Sequence, residues 1–157
     1  MPINVVLYQP EIPSNTGNIA RTCAATNTRL HLIRPLGFST DDKMLKRAGV
    51  DYWEFVNIIY YDSLEEFFAA NEDGDYFFLT KHGKKPHTAF EYNNPETDYY
   101  FIFGKESSGL PKELLAHNKE RCLRIPMTEN VRALNLSNAA AILVYEALRQ
   151  QGYPNLK

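Results

Sequence analysis

The sequence predicts an α/β domain built on a parallel β-sheet with helices on both faces. Short apolar runs alternate with segments of helical periodicity. Each run is close to continuously apolar, the mark of a strand buried on both faces. The Pro-, Gly- and Asn-rich punctuation falls between these segments and not inside them, as expected when strands and crossover helices alternate. No repeat, linker or low-complexity stretch divides the chain, so residues 1–157 read as one domain.

The first strand is INVVLY (3–8), and Pro10 and Pro13 force an extended loop after it. Asn15 to Thr26 has helical spacing, with Ile19, Cys23 and Ala24 on one face. RLHLI (29–33) is a second strand, stopped by Pro35 and Gly37. A short charged helix is expected over 41–48 and a strand over 55–60. Ser63 and Glu66 have capping-box spacing and open the helix LEEFFAA. YFFLT (76–80) is the next strand, and the polar, Pro-containing stretch 81–98 reads as loop. YYFIF (99–103) and RCLRI (121–125) are strands, with a short helix near 112–117 between them. The last helix covers 137–151, with Asn135, Ser137 and Asn138 as capping groups at its start. Gly152 is its stop and Pro154 lies beyond.

Composition narrows the function classes. Hydrophobic content of 44% and charged content of 23% are ordinary for a globular protein. A net charge of −2 argues against a basic nucleic-acid coat but leaves room for a local basic patch. Cys23 and Cys122 are too far apart in sequence for a disulfide framework or zinc site and read as buried, reduced thiols. His31, His82, His87 and His117 show no ligand spacing, so no metal is expected. The opening MPINVVLYQPEIP reads as a strand and not a signal peptide, and no apolar stretch is long enough for a bilayer. A cytoplasmic protein without membrane contact is expected.

Three polar loops follow apolar strands: SNTGNIART (14–22), FIFGKESSGLP (101–111) and RIPMTENVRALNLSN (124–138). In an open parallel sheet, ligands bind at the carboxyl ends of strands, so these loops should form one composite site. The second has Gly104 and Gly109 at P-loop spacing, but Leu110-Pro111 stands where Lys-Ser is needed. No strand is followed by a dinucleotide fingerprint. KHGKKPH (81–87) is a basic loop after the fourth strand, either solvated or a phosphate contact. No nucleophile–base pair for acyl chemistry is evident.

In order and spacing, these three segments resemble the motifs of the SPOUT superfamily of RNA methyltransferases, over essentially the whole chain. The opening VVLYQPEIPSNTGNIAR and the ending YEALRQQGYP resemble the TrmL family most. Its members methylate the ribose 2′-hydroxyl of the wobble nucleotide, C or a modified U, in leucine tRNA, using S-adenosylmethionine. The resemblance implies a C-terminal trefoil knot, which pattern reasoning alone would reject as too rare. It also implies a homodimer with the site at its interface and the tRNA anticodon stem-loop as partner. Carried over residue by residue, the cofactor pocket falls on Leu79, Gly104, Ile125, Ala133 and Leu134. Arg21, supplied across the dimer, is the expected catalytic group, with Asn18 and Glu106 orienting it or the ribose. Lys81, Lys84, Lys85, Arg132 and Tyr145 are the expected RNA contacts, and Asn135 and Ser137 shape the third loop. Ala133 replaces a serine common in relatives, and GKESSGL stands where they often have GPETRGL, so Ser108 takes the place of an arginine. Two other readings are an rRNA ribose methyltransferase of the same superfamily and a non-catalytic RNA-binding protein of this fold. The absence of an additional RNA-binding segment weighs against the first, and intact Arg21 and Glu106 against the second.

Overall fold

The computed structural model describes residues 3–39, 43, 47 and 53–157. A seven-stranded sheet runs in the order β3-β2-β1-β6-β4-β7-β5, and every pairing is parallel. The strands are β1 (Ile3–Tyr8), β2 (Arg29–Ile33), β3 (Ile58–Tyr61), β4 (Asp75–Leu79), β5 (Lys85–Pro86), β6 (Tyr99–Phe103) and β7 (Cys122–Arg124). Four helices are described: α1 (Pro13–Thr26), α2 (Leu64–Ala70), α3 (Lys112–His117) and α4 (Leu136–Gln150). The charged helix expected over 41–48 lies, but for Lys43 and Arg47, outside the described residues. No helix among the described residues is long and apolar enough to cross a membrane.

Alternate residues of each strand face opposite sides of the sheet, and both sides are covered. On one side Val5, Leu7, Phe101 and Phe103 pack with Ile19, Ala20 and Cys23 of α1 and with Ala140, Leu143, Val144 and Ala147 of α4. On the other side Val6, Ile102 and Phe78 pack with Phe67 of α2, and Leu114 and Leu115 of α3 close the cluster.

The second face holds a buried polar chain. His31 is fully buried, with Nε2 2.9 Å from Asn4 Oδ1 and Nδ1 2.9 Å from the Tyr61 hydroxyl. Asn4 Nδ2 donates to the Tyr99 carbonyl, so Asn4 Oδ1 is the atom turned to His31 and needs a donor. That makes Nε2 the protonated nitrogen and Nδ1 the acceptor of the Tyr61 O–H. Asn71 continues the chain, donating to Tyr61 and accepting from Tyr100.

The elements differ from the sequence reading at several places. Helix α1 begins at Pro13, two residues earlier than expected, with proline in its first turn, where no intrahelical donor is lost. The third strand is Ile58–Tyr61, because Trp53–Phe55 forms a 3₁₀ turn with Phe55 69% exposed. The final strand is three residues long, Cys122–Arg124. Within the expected loop 81–98, Lys85–Pro86 adds a short strand at the sheet edge, held by pairing with β7. The Ser63 cap is present, its hydroxyl accepting from Glu66 N at 3.1 Å, but the Glu66 carboxylate reaches Asp62 N instead of the cap residue.

Candidate functional site

The chain leaves β1 toward β2 on one side and leaves β6 toward β7 on the other, so the crevice between the ends of β1 and β6 is a topological switch point. The loops that meet there hold each other through two exchanged carboxylates. Glu106 accepts from the backbone N–H groups of Glu11 (3.0 Å) and Ile12 (2.9 Å). Glu11 in turn accepts from the N–H (3.0 Å) and hydroxyl (2.7 Å) of Ser107. These two bonds hold the Glu11 carboxyl below the usual carboxylate range. Ile12, which precedes α1, has no side-chain cap of its own. Glu106, distant in sequence, instead holds the two N–H groups immediately before the helix.

Asn15 ties in the third segment. Its Nδ2 donates to Glu106 (3.3 Å), and its Oδ1 accepts from Asn135 Nδ2 (3.1 Å). Asn135 caps α4, its Oδ1 accepting from Ser137 N (2.9 Å) and Asn138 N (3.4 Å). One hydrogen-bonded chain, Glu106–Asn15–Asn135–Ser137, therefore joins all three loops.

These loops enclose a cavity of about 990 Å³. Leu79, Phe103 and Ile125 at the ends of β4, β6 and β7 supply apolar wall, while Gly104–Gly109 and Ala133–Asn135 supply backbone. All five expected cofactor residues, Leu79, Gly104, Ile125, Ala133 and Leu134, line it. Apolar walls with backbone donors and acceptors around them suit a small ligand with both apolar and polar parts. The second loop is a tight turn, with Lys105 N to Gly109 O at 3.2 Å and Gly109 N to Lys105 O at 2.9 Å. Gly109 has φ +72°, and a Cβ on Gly104 would lie 2.2 Å from the Gly109 carbonyl carbon. Both glycines thus serve the turn itself, one through its dihedral and one through close approach.

The expected catalytic residues separate. Glu106 lines the cavity, but its oxygens are engaged by Glu11, Ile12 and Asn15. Asn18 and Arg21 lie on the exposed stripe of α1 and not in the lining of the cavity. Of the expected RNA contacts, Lys81 and Arg132 line the cavity and Lys84, Lys85 and Tyr145 do not. Lys84 precedes β5 and Lys85 begins it, on a segment pinned by Arg124, whose Nη1 donates to the carbonyls of Gly83 (3.0 Å) and Lys84 (2.7 Å). Tyr145 stands on the exposed face of α4 beside Ile142. Sequence reasoning missed Glu11, Lys105 and Lys112 at this site. A lone carboxylate between two prolines carries no pattern, and the two lysines gain meaning only from the cavity they line. Among the described residues no group of His, Cys, Asp and Glu could hold a metal ion, and burial pushes the Cys23 thiol up to about 12.

The model of the SpoU rRNA Methylase family matches residues 2–145. A Bacillus subtilis (strain 168) protein is 72% identical over 155 residues, covering 99% of this chain and 97% of its own. The tRNA (cytidine(34)-2'-O)-methyltransferase of Escherichia coli (strain K12) is 48% identical over 153 residues, 97% of this chain and 96% of the relative. A solved structure described as giving insight into the 2-OH methylation of C/U34 on tRNA is 45% identical, with TM-score 0.88 over 96% of each chain.

Proposed function

The chain belongs to the SpoU rRNA Methylase family, and from that premise we propose that it methylates the ribose 2′-hydroxyl of the wobble nucleotide, C or a modified U, of a tRNA. Leucine tRNA is the substrate we assign, from the TrmL resemblance. The observation that carries the reading is the hydrogen-bonded chain from Glu106 through Asn15 to Asn135, which closes three separate segments around one cavity at the switch point. The names of the Escherichia coli relative and the 45% identical structure support the same nucleotide.

S-Adenosylmethionine, when bound, supplies an already cationic methyl donor. Leu79, Gly104, Ile125, Ala133 and Leu134 would hold it, and no metal is assigned. The protein's own task is to align the ribose oxygen and to stabilise the negative charge that develops there. We assign that charge stabilisation to Arg21. A guanidinium with a pKa above about 12 is a poor base, so its role is electrostatic. Its position on the exposed stripe of α1, away from its own chain's cavity, supports a homodimer in which it serves the partner's cavity. Asn18 lies one turn before it on that stripe and orients it or the ribose. The bonds of Glu106 support a positioning role, exerted through the start of α1 and not directly on the ribose. Lys81, Lys84, Lys85 and Arg132 take RNA phosphates of the anticodon loop, and Tyr145 contacts RNA from α4.

We also assign the C-terminal segment a trefoil knot, residues 1–157 a single domain, and the protein a cytoplasmic location. The family resemblance supports the knot and the tRNA substrate supports the location. Mapping ribose methylation in tRNA from cells with and without the gene tests the function. Loss of the mark at the wobble position alone is expected. Loss in rRNA with an intact tRNA mark would overturn the tRNA assignment, and no cofactor binding at millimolar concentration in calorimetry would overturn the enzyme.

A further inference from the structure

The cavity walls carry a charge excess that the chain as a whole lacks. Lys81, Lys105, Lys112, Arg124 and Arg132 line it, against a single carboxylate, Glu106, whose oxygens already take three N–H groups. The whole chain has a net charge of −2, so the excess is local to the mouth. Arg124 is engaged by two carbonyls, and Lys81 and Arg132 already belong to the proposed RNA surface. Lys105 and Lys112 are left without a task.

Neither lysine makes a salt bridge with any described residue, and the Glu11 carboxylate, which attracts Lys105, is bonded to Ser107 instead. Both rise from fixed backbone. Lys105 lies between Gly104, packed against the Gly109 and Leu110 backbone, and Glu106, clamped to the start of α1. Lys112 opens α3 directly after Pro111. The loop that carries Lys105 follows β6, and the loop that carries Lys81 and Lys84 and leads into Lys85 follows β4, the neighbour of β6 in the sheet. Adjacent strands lie about 5 Å apart, so the two cationic loops flank the same mouth. A single anionic group would need one of them, whereas a strand of phosphodiesters passing over the mouth would engage both.

We propose that Lys105 and Lys112 form a second phosphate-docking edge, holding the RNA backbone on the other side of the reacting nucleotide from Lys81. This rests on the RNA reading above. Each phosphate neutralised contributes about 0.7 to 0.9 to the slope of log affinity against log salt. The test measures binding of an in vitro transcribed tRNA across a salt series, with S-adenosylmethionine affinity and the melting temperature as controls. Lys105→Ala/Lys112→Ala should flatten the slope by about 1.4 to 1.8 and leave both controls unchanged. Ser108 is exposed in the same turn, so adding Ser108→Lys to Lys105→Ala should restore about 0.7 to 0.9 of slope, an outcome that a packing role for Lys105 would not produce. An unchanged slope in the double variant, with salt-dependent binding by the wild type, overturns the second edge and leaves the RNA reading standing. Weaker binding with an unchanged slope and no rescue also overturns it. A wild-type protein that binds tRNA without salt dependence, or not at all, overturns both.

Discussion

Mild acid should destabilise this protein through one side chain, His31. Burial among Tyr61, Phe67 and Tyr100, and secondarily the positive charge of Arg29, lowers its pKa from 6.5 to about 3. Protonating Nδ1 would also set a donor against the Tyr61 O–H that it now accepts. The folded state therefore keeps His31 neutral while the unfolded chain takes up a proton below about pH 6.5. Stability from this group is fully present above that value and is lost as the pH falls toward 3. The loss approaches about 1.4 kcal/mol per pH unit, or about 2 kcal/mol between pH 7 and 5, before most carboxylates titrate. That is a large share of the roughly 5–15 kcal/mol expected for a domain. Urea denaturation across this range measures it directly. Wild-type midpoints should fall with an unchanged m-value. His31→Gln should be less stable at neutral pH, having lost part of the chain from Asn4 to Tyr61, but nearly flat between pH 6.5 and 5. Parallel profiles for the two proteins would refute the assignment.

Arg21→Ala should lower turnover by about 10²–10³ with cofactor affinity unchanged in calorimetry, and an equal loss of cofactor binding would show the role misassigned. Mixing Arg21→Ala protomers with protomers blocked at the cofactor cavity should restore part of the activity, and no recovery would place Arg21 in its own chain's site. Gly104→Ala would set a Cβ 2.2 Å from the Gly109 carbonyl carbon and 2.3 Å from Leu110 N, so it should weaken cofactor binding more than about tenfold, well over 1.4 kcal/mol. Gly109→Ala meets nothing within 4 Å but must hold φ +72°, so it should cost about 1–2 kcal/mol in denaturant melts. Lys84→Ala/Lys85→Ala should flatten the salt dependence of RNA binding by about 1.4 to 1.8 and spare cofactor binding, and an unchanged slope would return 81–87 to an ordinary solvated loop.

The strands β1, β2 and β6 were legible because burial on both faces makes them nearly continuous apolar runs, interrupted only by Asn4, Arg29 and His31, of which Asn4 and His31 bond to each other inside the core. The start of α1 was not, because Ile12 offers no side-chain capping signal, and the Glu106 carboxylate that holds the N–H groups of Glu11 and Ile12 just before the helix is distant in sequence. Strand β5 was illegible for a related reason: two residues, one of them proline, become a strand only by pairing with β7. The segment 55–57 looked like the start of a strand because Phe55 and Val56 are apolar, and composition does not report that Phe55 ends a 3₁₀ turn with its ring exposed. At the site, five expected cofactor residues converge because loops after neighbouring parallel strands must meet at one end of the sheet. Which chain Arg21 serves is a matter of assembly, and a linear pattern holds no record of that.

The short edge strand β5 bears on how copies of this protein can meet. An open sheet edge invites backbone from another chain, and cells suffer aggregates where such edges are long and flat. Here the edge ends at Pro86, which has no N–H to offer, and is guarded by the charged Lys84 and Lys85. Strand addition is refused on this side, so fibril-like stacking through β5 is blocked without any bulky cover, and the same lysines stay open to solvent and to the polyanion they are proposed to receive.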